Sequence, residues 1–126
     1  HAGWRGTVQK IAKNAVEKMY REYGIPKEDI LCAIGPCISK CCFEVSAEVA
    51  EEFEKLFPME SFAKKKENGK YHIDLKGVNR EILLREGVPE KNMDVSNDCT
   101  FCREELFYSF RRQGKEAGRM AAFIVR

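Results

Sequence analysis

A chain of 126 residues, 44% hydrophobic and 33% charged, has the length and balance of one ordinary globular domain, not of a disordered segment. Its 22 basic and 20 acidic residues are interspersed and leave a net charge of +2, without the concentrated basic footprint of a nucleic-acid binder. No apolar run approaches the roughly 18 residues of a membrane span, and the first residues do not read as a signal peptide, so neither nucleic acid nor membrane is expected as a partner.

The chain opens on His1-Ala2-Gly3-Trp4-Arg5-Gly6-Thr7. A glycine-rich turn that starts a helix aims backbone N–H groups and the positive end of the helix dipole at an anion. Arg5 adds a two-pronged guanidinium to Gly3 and Gly6, and His1 offers a neutral nitrogen to a metal or a proton carrier near neutral pH. The same glycines would equally serve a plain strand-to-helix turn. Either turn wants a strand before it, so the chain reads as a piece of something longer.

The spacing of Val8, Ile11, Ala12, Ala15, Val16, Met19 and Tyr20 predicts a helix from about Thr7 to Tyr23, closed by Gly24 with Pro26 beyond. Ile30 to Ile34 reads as a short buried strand that leads into the thiol-rich loop Gly35–Val45. Ser46 is placed to cap a second helix with Val49, Phe53, Leu56 and Phe57 inside, ended by Pro58. Lys64-Lys65-Lys66 precedes Asn68-Gly69 and reads as a solvated hairpin or loop. Lys70 to Asp74 is a strand, and Asp74 caps a third helix through Val78, Ile82 and Leu83 to Gly87. Asn92 to Ser96 reads as a strand, Arg103 to Phe110 as a short helix and Arg119 to Val125 as a terminal strand. The expected class is mixed α/β: a mixed sheet of roughly four strands with flanking helices, residues 1–126 forming one unit without internal boundary.

Six cysteines stand at 32, 37, 41, 42, 99 and 102. Helices and apolar strands can build a core without disulfides, so the thiols read as reduced and the protein as cytoplasmic. Cys99 and Cys102 form a Cys-x-x-Cys pair, half of a zinc knuckle or a weak redox motif. The loop thiols at 37, 41 and 42 could complete a four-sulfur site with it. Their irregular spacing and the lack of a second Cys-x-x-Cys favour packing, with Cys37 and Cys99 beside the site rather than in it. Arg111-Arg112-Gln113-Gly114 is a second concentration of guanidinium and glycine, suited to phosphate or to the helix end. His72 alternates with Tyr71 and Ile73 and reads as packing.

Seven ordered motifs resemble one family. They are the opening heptapeptide, Ile34-Gly35-Pro36-Cys37-Ile38, Cys42-Phe43-Glu44-Val45, Ile73-Asp74-Leu75, Asp98-Cys99-Thr100, Phe107-Tyr108-Ser109-Phe110-Arg111-Arg112 and Gly118-Arg119-Met120-Ala121-Ala122. The chain is similar throughout to the YfiH-type, laccase-domain family, known both as polyphenol oxidases and as purine nucleoside phosphorylases. Members run to about twice this length, so the resemblance implies the C-terminal half of an incomplete domain, with an N-terminal half of the same polypeptide as its partner. It implies a catalytic zinc held by two histidines and a cysteine, with His1 as one ligand and the other two upstream. It implies phosphorolysis of adenosine or inosine, with purine nucleoside and phosphate as substrates and adenosine deamination as a related activity. Arg5 with Gly3 and Gly6 is then the phosphate holder, helped by Arg111 and Arg112. Oxidation ranks lower, since several copper sites need many histidines and this chain has two. Copper is accordingly the alternative metal. A third expectation follows from the fold's likeness to deamidating toxins: a cysteine hydrolase, proposed elsewhere in the family for cell-wall precursor editing, with Cys99 or a loop thiol as nucleophile. A fourth is an inactive fragment or metal-binding module.

Overall fold

The computed structural model describes residues 1–125. The continuous helix expected from Thr7 is instead two. α1 (Trp4–Val8) starts earlier, with Gly3 as its extended N-cap, and α2 (Ile11–Tyr23) follows after a break. The break is Lys10, whose φ of 57° lies in the left-handed region that side chains disfavour. Its N–H bonds to the Thr7 carbonyl at 2.9 Å and that of Gln9 to Arg5 at 3.1 Å, so the turn is closed before α2 begins. Apolar spacing runs on across this break, which is why periodicity does not reveal it.

Five short strands form two small sheets, where a single mixed sheet of about four was expected. β1 (Cys32–Ile34) pairs in parallel with β5 (Met93–Val95), Cys32 facing Met93 and Ile34 facing Val95. β2 (Glu44–Val45), β3 (Ala63–Lys65) and β4 (Tyr71–Ile73) form an antiparallel sheet in the order β2-β4-β3. β2 lies inside the segment read as a thiol loop. β3 and β4 form the expected hairpin over the lysine run, with Gly69 at a φ of 76° in its turn.

α3 (Ala47–Glu54) follows Ser46, whose Oγ donates to Glu48 at 3.0 Å instead of capping the backbone. α4 (Leu75–Arg85) is capped as expected: Asp74 Oδ1 accepts the Gly77 N–H at 3.0 Å. α4 is the wall shared by both cores. Leu75, Val78 and Ile82 pack with Phe43, Phe53, Phe57 and Ile73 on one side. Leu83 packs with Val16, Ile30 and Val88 on the other, under β1 and β5.

Two expected elements do not form. Residues 104–106 form a turn and 107–109 are irregular, and the only helix that begins within the expected span is the short α5 (Phe110–Gln113). Leu106, Tyr108 and Phe110 are exposed, so no apolar stripe holds a helix there, and a run that short does not sustain itself alone. Arg119–Val125 joins neither sheet, and Phe123, Ile124 and Val125 stand exposed. A strand needs a neighbouring edge for its N–H and C=O groups, and this segment pairs with none of the edges that the two sheets leave open. No helix among them is long and apolar enough to cross a membrane.

Candidate functional site

The opening motif is held in place from beneath. Thr7, 0% exposed, donates its hydroxyl to the Ala2 carbonyl at 3.1 Å and accepts Asn79 Nδ2 at 2.9 Å. Asn79 lies on the inner face of α4 and also donates to the Leu75 carbonyl. A polar residue in register with Leu75, Val78 and Ile82 was the signal in the sequence for this anchor. The motif's glycines then make room. A Cβ on Gly3 would stand 2.7 Å from His1 Nε2, and one on Gly6 would stand 3.2 Å from the His1 carbonyl. The His1 imidazole thus folds back over Gly3 at the exposed rim, where a metal could reach it. Gly6 sits inside α1, not in a turn ahead of the helix.

Arg5 is exposed, its guanidinium 4.4 Å from the centre of the Trp4 ring. Trp4 also lines an open groove of about 380 Å³ with Phe43, Val45, Val49, Glu44, Ser46, Lys70 and Arg111. Arg111 lies 5.7 Å over the Phe43 ring and donates to the Glu44 carbonyl at 2.8 Å. Lys70 pairs with the Glu44 carboxylate at 3.0 Å, and its ammonium holds that carboxyl below the usual range. His72 Nε2 stands 3.7 Å from the same carboxylate, and His72 is half-buried as a packing residue would be. Arg111 therefore lines this aromatic groove directly, and Arg5 is tied to it through the Trp4 ring. Arg112 does not share it. Its guanidinium donates to the carbonyls of Thr100, Phe101 and Phe107 at 2.7–2.9 Å, which leaves it holding a loop.

That loop carries the Cys-x-x-Cys pair. β1 and β5 are parallel, so the segments after them leave from the same edge of the sheet. Cys37 and Cys99 prolong the pairing as a bridge, with the Thr100 N–H on the Cys37 carbonyl at 3.1 Å. Lys76, only 7% exposed, donates to the carbonyls of Ser96 and Asp98 at 2.6 and 2.8 Å. Nothing in the sequence marks this lysine, which follows a helix cap where charge is ordinarily solvated.

The sulfurs of Cys41, Cys42, Cys99 and Cys102 all lie within 4.8 Å of one another, close enough to hold a metal ion. The spacing had favoured packing. The parallel strand pair brings the two loops together, and that is a tertiary fact. Cys37 stays outside the group, half-buried, and burial pushes its thiol up while the nearby Lys76 opposes it. Burial and its bonds to the neighbouring thiols push Cys42 strongly up. Burial also works against Cys99, but N–H groups of Ser39, Cys102 and Phe101 outweigh it and bring the thiol down to about 6. No histidine joins these sulfurs, and no three-donor group forms around His1, among the described residues.

The sequence matches, over residues 1–126, the family described as multi-copper polyphenol oxidoreductase laccase. A purine nucleoside phosphorylase of Bacteroides thetaiotaomicron is 42% identical over 127 residues, which cover 99% of this chain and 47% of that protein. Adenosine deaminase RL5, from an unknown prokaryotic organism, is 44% identical over 128 residues, covering 100% of this chain and 48% of the relative. The crystal structure of YlmD from Geobacillus stearothermophilus matches with a TM-score of 0.82 at 42% identity, over 89% of this chain and 42% of that one. The chain spans about half the length of the curated relatives it matches. With its motifs in order, its fold matched at that level and its whole length aligned, this chain belongs to the multi-copper polyphenol oxidoreductase laccase family.

Proposed function

We propose that the polypeptide containing these residues catalyses zinc-dependent phosphorolysis of purine nucleosides, turning adenosine or inosine and phosphate into free base and ribose 1-phosphate. The observation that carries this reading is the His1 imidazole seated over Gly3, followed in the chain by Trp4, whose ring carries Arg5 and lines an aromatic groove with Arg111. The names of the relatives support it, and the name of RL5 supports adenosine deamination as a second activity.

His1 fits zinc as one nitrogen ligand: the imidazole is exposed, and the missing Cβ at Gly3 leaves it room. The remaining ligands come from outside residues 1–126, and Arg5 and Arg111 are this chain's further contribution to the site. When bound, such a metal supplies Lewis-acid polarisation or activates a water. Arg5 and Arg111 do the work of holding phosphate, since a planar guanidinium matches two of its oxygens at once. A held phosphate oxygen attacks the anomeric carbon, and the electron pair of the breaking C–N bond leaves with the purine. The phosphate's proton ends on the released base. Gly3 and Gly6 position His1, and Arg112 holds the 100–107 loop in place of contacting substrate. The thiol-hydrolase alternative finds less support, since no histidine stands with Cys99 among the described residues.

The test is product analysis on the full-length polypeptide, purified without added copper and incubated with adenosine or inosine, with and without phosphate. Ribose 1-phosphate formed only with phosphate is expected. Arg5→Ala should weaken phosphate binding roughly 10- to 150-fold, the cost of one charge-assisted hydrogen bond. Arg5→Lys should recover little of that. Nucleoside cleavage indifferent to phosphate, or phenol oxidation that requires copper, contradicts the proposal.

A further inference from the structure

We propose that Cys41, Cys42, Cys99 and Cys102 form a closed, structural zinc site, separate from the metal site at His1. Four thiolates placed tetrahedrally at zinc–sulfur bonds of about 2.3 Å stand about 3.8 Å from one another. Cys41 Sγ lies 3.8 Å from Cys102 Sγ, Cys42 Sγ lies 3.3 Å from it, and all four sulfurs fall within 4.8 Å. Small side-chain rotations close that set onto one ion. The donors are all sulfur, with no fifth group and no carboxylate among them, which selects a soft tetrahedral cation and leaves no open position for chemistry.

The backbone around the cluster has the form such a site needs. Cys99 Sγ accepts the Ser39 N–H at 3.3 Å and the N–H groups two and three residues ahead, at Phe101 and Cys102. In a Cys-x-x-Cys knuckle those amides orient the first sulfur and stabilise its bond to the metal. Four thiolates on one divalent zinc leave a net charge of about −2 to be offset. Lys76 and Arg112, seated on carbonyls of the same loop, supply positive charge there. Cys41 and Cys102 are exposed, so the ion can enter from solvent, displacing the thiol protons as it binds. The site would staple the loop after β1 to the loop after β5, two segments with little regular structure of their own.

The test uses the full-length polypeptide with His1→Ala, purified under reducing conditions and loaded with zinc, so that the proposed catalytic site does not contribute. Metal analysis should give about one zinc per chain, lost in a Cys42→Ser, Cys102→Ser double variant. Cobalt titration of the protein with all cysteines intact gives a reading that does not depend on the variants folding. Sulfur-to-cobalt charge-transfer bands with the intensity of four bonds are expected. Zinc retained by the double variant, no zinc in the His1→Ala protein, iron in its place, or a Cys42–Cys102 disulfide in the reduced protein would each overturn the proposal.

Discussion

A methyl group at position 3 cannot coexist with the observed imidazole, because it would stand 2.7 Å from His1 Nε2 and 3.3 Å from its Cδ2. Gly3→Ala should therefore displace His1 without touching either core, and weaken zinc binding at that site about 10- to 100-fold, as loss of a ligand's support does elsewhere. Isothermal titration of zinc into the full-length Cys42→Ser, Cys102→Ser protein, with and without the change, measures this. An unchanged affinity would mean that Gly3 does not position His1. Residues of one chemical type also separate here by what they touch. Arg111 and Arg112 are neighbours and equivalent on paper, yet one flanks the aromatic groove and the other is spent on three carbonyls. Lys76 is equally opaque: its burial is created by the loops that fold over it.

α4 organises the molecule, since its two apolar faces meet both cores and its Asn79 anchors the opening motif. Its start rests on Asp74, whose carboxylate takes the Gly77 N–H. Asp74→Ala should lower stability by about 1 kcal/mol, read as a lower denaturant midpoint at unchanged slope. A midpoint equal to that of the unsubstituted protein would show the cap to be redundant. This helix was legible in the sequence because cap, stripe and terminal glycine agree over 11 residues. α3 was legible for similar reasons, through Phe53 and its neighbours. Less could be read where one residue overrides a pattern, as Lys10 does in splitting α1 from α2. The strand expected at Arg119–Val125 shows the opposite failure: a continuous apolar run ending in Phe123-Ile124-Val125 carries strand character, but pairing depends on an edge that no local pattern encodes.

The parallel β1–β5 pair is the element whose consequences reach furthest, because it sends two thiol-bearing loops off one edge. Pairing between residues 32–34 and 93–95 is invisible to periodicity, so the four-sulfur group could not be read from spacing. The His1 motif, in contrast, was legible as a motif, though the fold that seats it was not. The sheet pair is also small: strands in parallel are ordinarily covered on both faces, yet Ala33 and Asp94 are exposed. Those exposed positions, together with the single histidine donor at the candidate catalytic site, fit a proposal in which the working enzyme needs further residues of the same polypeptide. The 126 residues alone should then show no phosphorolysis, having one of three expected zinc ligands. The most direct measurement is the zinc content of the full-length polypeptide beside its His1→Ala variant, both folded and equally reduced. The variant should hold about one equivalent less zinc and form no ribose 1-phosphate. Equal zinc content in the two proteins would contradict the assignment of His1 as a ligand.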